Sequence, residues 1–552
     1  MNTTRARSRA QIRVLAVALA VALPTAARAQ TPASDRVDSI FRRFDTTQSP
    51  GCAHATVQGD RMVYQRGYGM SNLEHGVPIT PGSIFHVASL SKQFAATAIA
   101  LLAQQGKLSI DDDVRKYVPE VPDFGQRITI RHLVHHTSGL RDQWSLLALA
   151  GWRADDPKSE ADILGLIAQQ RELNFTPGAE HLYSNTGYTL LAVIVKRVSG
   201  KSLREFAHEH IFQPLGMTST HFHDDHTMIV PNRTSAYVQR PGGYAISIPV
   251  FDNHGATSLF TTVGDLARWN RNFDDARVGG KALQDLLHTQ GVLNDGIVLP
   301  YAFGIVKGEY NGLPTVGHSG ADAGYRADFL RFPQQGYAFV TLCNLGSTNP
   351  GMLNRQVASV FLAEHMRRSV AAEPQPAAVT PAEIEPLVGT YFDARTETLR
   401  RATVREGKLV YGVGTVVQLT PLGGAEFRLV GQPVTIAFLR QSSQIVLQER
   451  IDGSPPVLLR RVAETPPNQD LKAFEGKYHS AELDVVWTVV ARADRLVVER
   501  RRFPDSTFEP VFADAFQGPG LLRFTRAARG RIDGFRLGQG RVRNLLFQKQ
   551  GR

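Results

Sequence analysis

The chain has 552 residues, of which 42% are hydrophobic and 20% charged, and its formal net charge is +11. This composition can bury the cores of several ordinary domains, which excludes a disordered, collagen-like or coiled-coil protein. Its two cysteines, Cys52 and Cys343, are too few for a disulfide scaffold or a CxxC-type zinc site.

The first 29 residues have the pattern of a secretory signal peptide. A start that is rich in arginine is followed by an apolar run from Val14 to Ala27 and by the small residues of Ala27-Arg28-Ala29. We therefore expect cleavage after Ala29 and export to the periplasm or the exterior. A membrane anchor is the alternative, but the apolar run is short for one.

The charge left after cleavage does not indicate a nucleic-acid partner. The leader carries five arginines and no acid, so its removal reduces the net charge from +11 to +6. From Pro381 onward, 26 lysines and arginines are interspersed with 19 acids. Nucleic-acid binders usually gather their basic residues in a patch or stripe. The oligomeric state cannot be predicted.

Residues 30–366 mix helical and strand patterns, which predicts one α+β domain. Apolar residues at three- and four-residue spacing predict helices over 91–108 and 190–198, the second ended by Gly200. Alternating segments between turn residues predict strands over 54–58, 62–68, and around 315–318, 327–332 and 337–342. No helix separates the last three strands, so we expect them to be antiparallel.

The remainder reads as a linker, 367–382, followed by two repeats, 383–465 and 466–552. Leu387-Val388-Gly389-Thr390-Tyr391 matches Phe474-Glu475-Gly476-Lys477-Tyr478 at an offset of 87 residues, and two leucine-containing pairs match at the same offset. Each repeat has room for about eight short strands. Two small β-barrels are the natural interpretation, and one barrel closed from two halves is the alternative.

The strongest chemical signal is Ser89-Leu90-Ser91-Lys92, at the start of the first helix. Residues three apart share a helix face, so Ser89 and Lys92 should be neighbours. A serine hydroxyl needs a nearby base to become a nucleophile. Lys92 can be that base if burial lowers its pKa. Ser91 is a rival nucleophile, but it faces elsewhere.

Two further segments carry candidate residues. In Tyr183-Ser184-Asn185, a phenol with a lowered pKa could accept a proton and return it to a leaving group, and the amide could hold a substrate carbonyl or Lys92. In His318-Ser319-Gly320-Ala321, the glycine would let a substrate approach the strand closely. The N–H groups of Ser89 and Ala321 could then form an oxyanion hole.

These three motifs, in this order and spacing, resemble the serine β-lactamase and penicillin-binding superfamily. The class C-like branch, with its D-aminopeptidases, D,D-carboxypeptidases and esterases, is the most similar. The resemblance covers about residues 35–366 and also includes His136-Thr137-Ser138-Gly139-Leu140 and Pro214-Leu215-Gly216-Met217. It implies an antiparallel sheet flanked by helices, with a helical subdomain.

By this resemblance, Ser89 is the acylated nucleophile, Lys92 its activating partner and Tyr183 the general acid/base. Asn185, Ser319, Gly320 and Ala321 would bind substrate. His318 stands where many members have a lysine that fixes a substrate carboxylate. Because histidine is mostly neutral near pH 7, this weakens the case for a β-lactamase or carboxypeptidase and favours an aminopeptidase or an esterase. No metal or other cofactor is expected.

Arg326, just after the His318 strand, could replace the missing cation, or it could pair with Asp322 or Asp328. Two barrels after such a domain resemble the arrangement of D-aminopeptidases, in which a barrel loop reaches the active site. No tail residue can be assigned that role from the sequence.

Two weaker signals remain open. The first and last strands of this fold are neighbours, so Cys52 and Cys343 either form a disulfide or remain two buried thiols. The histidines of His221-Phe222-His223-Asp224-Asp225-His226 are more easily explained by a solvated loop than by a metal site.

We therefore expect an exported serine hydrolase that cleaves small amides or esters, plausibly of D-amino acids, through a Ser89 acyl-enzyme. An esterase, a weak β-lactamase or a D,D-carboxypeptidase is the alternative among enzymes. A non-catalytic receptor with a penicillin-binding fold is the alternative from another class, and a retained nucleophile and base argue against it.

Overall fold

The computed structural model describes residues 32–367, 377–413, 416–430, 432, 434–442, 444–451, 456–464 and 470–551. The predicted signal peptide, 1–29, lies outside the described residues, as does 368–376 of the predicted linker. No helix in the described ranges is long and apolar enough to cross a membrane.

The first domain is built on a six-stranded antiparallel sheet, as expected. Its strands, in spatial order, are Val306–Tyr310, Leu313–Asp322, Tyr325–Phe332, Tyr337–Cys343, Cys52–Gln58 and Arg61–Tyr68. The two ends of the domain therefore meet at the centre of the sheet. Cys52 is paired directly with Cys343 in the strand register, and the two form a disulfide, which decides between the alternatives left by the sequence.

Helices cover both faces of this sheet and build a second layer beside it. The helices of this domain are Ala33–Phe41, Ser91–Gln104, Ile130–Val134, Gln143–Leu149, Glu160–Ala168, Asn185–Ser199, Leu203–Ala207, Gln213–Leu215, Val263–Asp275, Gly280–Leu287 and Pro350–Leu362. Short strand pairs lie between them, at Met70–Asn72 with Val77–Pro78, Phe85–His86 with Leu259–Thr261 and His221–Phe222, Lys158–Ser159 with Phe251–Asp252, and Tyr237–Arg240 with Gly243–Ile246.

The helix Ser91–Gln104 is almost fully buried and lies at the centre of the domain. It ends four residues before the predicted limit at Leu108, and Gly106 follows it with a φ of 68°. The predicted helix 190–198 is the second half of Asn185–Ser199, which ends at the left-handed Gly200 as expected. These two helices pack against each other and carry Lys92 and Asn185.

The rest of the described chain forms two closed barrels of eight antiparallel strands each, not one barrel closed from two halves. The first consists of Gly389–Asp393, Thr398–Arg405, Lys408–Tyr411, Val417–Gly423, Glu426–Leu429, Val434–Gln441, Gln444–Ile451 and Val457–Val462. The second consists of Gly476–Ser480, Val485–Arg492, Arg495–Glu499, Ser506–Phe512, Ala515–Gln517, Leu521–Arg526, Ile532–Gln539 and Val542–Lys549. A short helix, Pro381–Ile384, precedes them.

The repeat seen in the sequence is also a structural repeat. The buried Tyr391 donates a hydrogen bond to Leu387 O at 2.8 Å, and the buried Tyr478 donates one to Phe474 O at 2.6 Å. In each barrel, the tyrosine of the first strand thus binds the short helical turn that precedes that strand. The core of the second barrel is continuous with that of the first domain, whereas the first barrel has a core of its own.

Candidate active site

Ser89 lies in a single 3-10 turn, Ala88–Leu90, directly before the helix that carries Lys92. The turn is tight, since Ala88 has a φ of 47°, a left-handed conformation that a residue with a Cβ rarely adopts. Ser89 is partly exposed, while its neighbours on both sides are buried. The serine hydroxyl is therefore held at the surface of a cleft by an otherwise buried segment.

Lys92 is fully buried, and its amine has three partners. Lys92 Nζ is 3.0 Å from Ser89 Oγ, 2.9 Å from Asn185 Oδ1 and 2.6 Å from Ala256 O. Burial holds the pKa of Lys92 well below its usual range, and the charge of Arg541 lowers it further, while Asp142 and Asp322 oppose both. A neutral amine donates two hydrogens, which suit the two carbonyl oxygens, and its lone pair then faces the hydroxyl of Ser89.

Ser91 is excluded as the nucleophile by its surroundings. Its side chain is fully buried, donates a hydrogen bond to Ala88 O at 2.5 Å and accepts one from Leu259 N at 2.9 Å. This hydroxyl holds the Ser89 turn against the neighbouring strand.

Tyr183 stands beside Ser89 and Lys92. Lys92 Nζ is 4.8 Å from the centre of the Tyr183 ring. Burial raises the pKa of the Tyr183 phenol, although its hydrogen bond with Ser89 and the charge of Arg541 oppose this. The expectation of a phenol with a lowered pKa is thus wrong in direction. A neutral phenol can donate a proton, and Lys92 is the group prepared to accept one.

Asn185 is held by Asp142, a residue that the sequence analysis did not single out. Asp142 Oδ2 accepts hydrogen bonds from Asn185 N and Asn185 Nδ2, both at 2.8 Å. The other oxygen, Oδ1, caps the helix Gln143–Leu149. The side-chain oxygen of Asn185 is thereby fixed toward Lys92.

His318 forms the opposite wall of the cleft as a neutral ring. Its Nδ1 lies 2.6 Å from Ser319 O, which can only accept, so Nδ1 carries the proton. Its Nε2 is then the acceptor for the hydroxyl of Tyr301, at 3.1 Å. Burial and the nearby Lys92 lower the pKa of His318 to about 4. This supports the expectation that the position carries no cation near pH 7.

The strand that contains Ser319, Gly320 and Ala321 lies against the nucleophile turn. A Cβ on Gly320 would be 2.2 Å from Val87 O and 3.2 Å from Ser89 N. The glycine is needed for contact between this strand and the Ser89 turn, whereas the sequence analysis gave it a role in substrate approach. The backbones of Ser89 and Ala321 are thus brought close, as the predicted oxyanion hole requires.

Arg326 does not line the Ser89 cleft itself but shares a neighbouring cavity with His318, Ser319, Gly320 and Ala321. Its guanidinium donates hydrogen bonds to Ala323 O at 2.9 Å and Tyr325 O at 2.6 Å, and it lines a chamber next to the cleft. Neither of the predicted ion pairs, with Asp322 or Asp328, is formed. The arginine that lines the cleft is Arg541, from a turn of the second barrel.

The cleft around Ser89 has a volume of about 380 Å³. The residues that line it are Ser89, Trp144, Tyr183, Asn185, Thr257, His318, Ser319, Ala321, Asp322 and Arg541. It opens past Trp144 and Asp322 into a side chamber of about 770 Å³. Aromatic and aliphatic residues predominate in the chamber wall, among them Trp144, Trp152, Ile248, Phe251 and Phe503.

The histidine-rich loop after His221 is only partly solvated. His223 is buried against Phe260, and burial lowers its pKa to about 4. His226 pairs with Asp252 at 2.8 Å, and among the described residues these two and Asp225 bring their ligand atoms within 4.8 Å of one another. The remaining ligands of a metal site are not supplied by the neighbouring histidines, which pack inward.

Comparison with known proteins agrees with this geometry. A family described as Beta-lactamase matches residues 37–361. A D-aminopeptidase of Gluconobacter oxydans (strain 621H) is 27% identical over 487 residues, which are 84% of this chain and 85% of that protein. The similarity to this relative therefore extends beyond the first domain into the barrels.

Solved structures show the same fold at lower identity. The octameric penicillin-binding protein homologue from Pyrococcus abyssi is 21% identical, with a TM-score of 0.55, over 77% of this chain and 99% of the other. The D-amino acid amidase from Ochrobactrum anthropi SV3 is 20% identical, with a TM-score of 0.52, over 60% of this chain and 99% of the other. These matches confirm the fold class predicted from the sequence.

Proposed function

The chain belongs to the Beta-lactamase family and is a serine hydrolase, and we propose that it is an exported enzyme that removes D-amino acids from the N-termini of short peptides and amides. The observation that supports this most directly is the contact at 3.0 Å between the hydroxyl of Ser89 and the buried Lys92, whose pKa is lowered by that burial. It provides a nucleophile that is activated before substrate binds.

The reaction follows from these contacts. Ser89 Oγ attacks the substrate carbonyl while its proton passes to Lys92 Nζ, and the N–H groups of Ser89 and Ala321 stabilise the oxyanion. The carbon–nitrogen bond then breaks as Tyr183 donates its proton to the leaving nitrogen. The proton held by Lys92 restores Tyr183. Water then attacks the resulting ester while Lys92 takes a proton from it, and the bond from Ser89 Oγ to the acyl carbon breaks. Lys92 returns that proton to Ser89 Oγ, and the D-amino acid leaves.

The charges of the cleft support a substrate with a free amino group. Asp322 lines the cleft next to Ala321, and its Oδ2 accepts a hydrogen bond from Thr257 at 3.0 Å. A substrate ammonium group beside the scissile carbonyl would meet this carboxylate. Burial lowers the pKa of His318 to about 4, so this residue adds no positive charge that would repel the ammonium group near pH 7.

An esterase is the second candidate, because Ser89 and Lys92 would also cleave esters and nothing in their geometry requires an amine leaving group. The role of Asp322 separates the two, since a simple ester carries no ammonium group for it to bind. A receptor without activity is disfavoured by the buried Lys92, because burying a lysine costs stability unless the neutral amine is used.

Export is supported by the disulfide between Cys52 and Cys343, because such bonds persist in oxidising compartments. Mass spectrometry of the mature protein from its native host tests this. We expect a chain that begins at Gln30 and, after denaturation without reductant, no free thiols. A retained leader with two free thiols would contradict export.

The activity is tested with D-alanine p-nitroanilide, its L-isomer and N-acetyl-D-alanine p-nitroanilide. We expect hydrolysis of the free D-compound alone, a loss of at least a thousandfold in Ser89→Ala, and normal rates in Ser359→Ala, which lies on the distant helix Pro350–Leu362. Equal rates with the acetylated compound would favour the esterase candidate. Benzylpenicillin has no free ammonium group for Asp322 to bind, so incubation with it, followed by measurement of the intact mass, should give no adduct on Ser89.

A further inference from the structure

The active-site cleft is completed by a hairpin turn of the second barrel, between the strands Ile532–Gln539 and Val542–Lys549. The side-chain amide of Asn174 makes two hydrogen bonds with the backbone of this turn. Its Nδ2 donates to Arg541 O at 3.0 Å, and its Oδ1 accepts from Arg543 N at 2.8 Å. Gly540 has a φ of 60°, and a Cβ there would be 3.1 Å from Ser145 Oγ. The turn is therefore seated closely in the first domain.

Ion pairs around this turn fix the barrel in place. Arg141 is buried and bonds Glu482 of the second barrel at 2.5 Å. Arg543 bonds Glu180 at 3.0 Å from the other side. Pairs that exclude water are costly to break, because separation leaves a buried charge alone. The turn thus keeps its position relative to Ser89.

The guanidinium of Arg541 lines the cleft, where it lies at ion-pair distance from Asp142 without a hydrogen bond to it. It lies 4.8 Å from the centre of the Tyr183 ring and 3.6 Å from Asp142 Oδ2, beyond hydrogen-bond range. That oxygen already accepts two hydrogen bonds from Asn185. Within the part of the chain that the structure describes, the Arg541 guanidinium has no hydrogen-bond acceptor, and its side chain is 42% exposed.

Arg541 is also the permanent positive charge of the cleft near pH 7. Burial lowers the pKa of His318 to about 4 and holds the pKa of Lys92 well below its usual range, which reduces the positive charge that these two groups contribute to the cleft. Asp322 supplies a negative charge on the same cleft. A ligand with one positive and one negative end therefore matches the lining.

The position of Arg541 indicates which end of a substrate it meets. Its guanidinium stacks on Tyr183, the group that protonates the leaving nitrogen in the proposed reaction. If the leaving group is an amino acid, its carboxylate is two bonds from that nitrogen. A guanidinium presents two parallel N–H groups, which match a carboxylate in geometry and charge.

We propose that Arg541 binds the free carboxylate of the leaving amino acid, so that the preferred substrate is a zwitterionic dipeptide with a D-residue at its N-terminus. This inference rests on the proposed function and adds to it the identity of the leaving group. In this scheme Asp322 holds the ammonium end, Ser89 attacks the single peptide bond, and Arg541 holds the carboxylate end.

The test compares two substrates that differ only at the far end, D-alanyl-glycine and D-alanyl-glycinamide. We expect the wild-type enzyme to favour the free acid by about tenfold or more in kcat/KM, since a charge-assisted hydrogen-bond pair is lost with the amide. In Arg541→Gln this ratio should fall to about one, and Arg541→Lys should retain part of it. Arg526→Gln, which removes a barrel arginine paired with Asp514, should keep the wild-type ratio.

The ratio of kcat/KM for the free acid to kcat/KM for the amide separates binding of the carboxylate from the other effects of Arg541. Its charge lowers the pKa of Lys92, so Arg541→Gln should move the acidic limb of the rate profile to higher pH for both substrates equally. Calorimetry on Ser89→Ala, with and without Arg541→Gln, should show the same preference in Kd. A ratio that does not change in Arg541→Gln would overturn the inference and leave the proposed function intact. An absence of hydrolysis of every D-substrate would instead refute the proposed function.

Discussion

Asp142 binds Asn185 twice through one oxygen, accepting from both the backbone nitrogen and the side-chain nitrogen at 2.8 Å. Asn185 in turn accepts from Lys92 Nζ at 2.9 Å. The buried carboxylate is therefore connected to the catalytic amine through a single amide. It sets both the orientation of that amide and part of the electrostatic field at Lys92.

Asp142→Asn should lower kcat by about tenfold to a hundredfold. The Oδ2 acceptor is replaced by an NH₂ group, which cannot accept the two hydrogen bonds from Asn185 that hold its amide toward Lys92. The charge of Asp142 raises the pKa of Lys92, so its removal should also move the acidic limb of the rate profile to lower pH. The helix cap on Oδ1 can be kept by the asparagine oxygen.

The pH profile of kcat distinguishes this positioning role from a purely structural one. Asp265→Asn is a suitable control, because Asp265 is also buried and accepts from Ser219 N at 2.8 Å but lies at another helix. A drop in kcat without any shift of the acidic limb would contradict the electrostatic part of the argument.

Gly320→Ala should reduce kcat/KM by more than a hundredfold. The new methyl group would meet Val87 O at 2.2 Å, and backbone atoms on both sides cannot yield without moving the Ser89 turn. Gly308→Ala, in the edge strand of the same sheet, should be nearly neutral, since its Cβ meets only Thr315 Oγ1 at 3.2 Å. Circular dichroism and kinetics on both variants check this. Normal activity in Gly320→Ala would show that the turn and strand are less closely coupled than the structure indicates.

Trp144→Ala should change the choice of N-terminal residue. The Trp144 ring stacks on Phe251 at 4.7 Å and lines both the cleft and the apolar side chamber, where it can pack against a large N-terminal side chain. Burying a large apolar side chain contributes about 2 kcal/mol, so the wild type should prefer D-phenylalaninamide to D-alaninamide. Kinetics with both amides should show that the variant loses most of this preference. Tyr244→Ala, on a surface hairpin, should retain it.

The fold should lose stability steeply below pH 6.5. Burial lowers the pKa of His54 to about 3 and of His135, His221, His223 and His318 to about 4. Unfolding restores each to about 6.5. The unfolded chain therefore binds more protons between those values, and the free energy of unfolding falls as the pH falls through that range. Each group contributes up to about 1.4 kcal/mol per pH unit.

Asp328 acts in the opposite sense, because burial raises its pKa to about 6. The contribution of this one carboxyl is smaller than that of the five histidines together, so the free energy of unfolding still falls as the pH falls. Urea unfolding at pH 7, 6 and 5 measures that slope. His54→Gln should make it shallower, whereas the exposed His365→Gln should leave it unchanged. A free energy of unfolding that stays constant from pH 7 to 5 would contradict the lowered pKa values of the buried histidines.

Local patterns in the sequence were sufficient for part of the site. A spacing of three residues placed Ser89 beside Lys92, because the helix that begins at Ser91 has a fixed geometry. The resemblance to a known fold made the first and last strands neighbours, which brought Cys52 near Cys343 but left a disulfide and two buried thiols both possible until the strand register was known. The 87-residue offset predicted two equivalent barrels, since a repeated sequence repeats its strands.

The residues that the sequence analysis missed depend on contacts between distant segments. Arg541 follows a glycine in a hairpin turn, a position that gives no signal of a functional residue. Its place in the cleft results from contacts such as that with Asn174, 367 residues away in sequence. Asp142 has the pattern of an ordinary helix cap, and its second oxygen becomes informative only once Asn185 lies beside it. Arg326 was considered because it is near His318 in sequence, yet its strand directs it into the neighbouring chamber.

The seating of the Arg541 turn has a consequence for the order in which the enzyme is made. Ser89, Lys92 and Tyr183 are all synthesised before the first strand of either barrel, and the turn emerges only with the last two strands of the second barrel. A nascent or clipped chain that lacks this hairpin would keep its nucleophile and base but would have an open cleft on the Tyr183 side. The part of the cleft wall that carries Arg541 is therefore added only after the segments with the nucleophile and the base are complete.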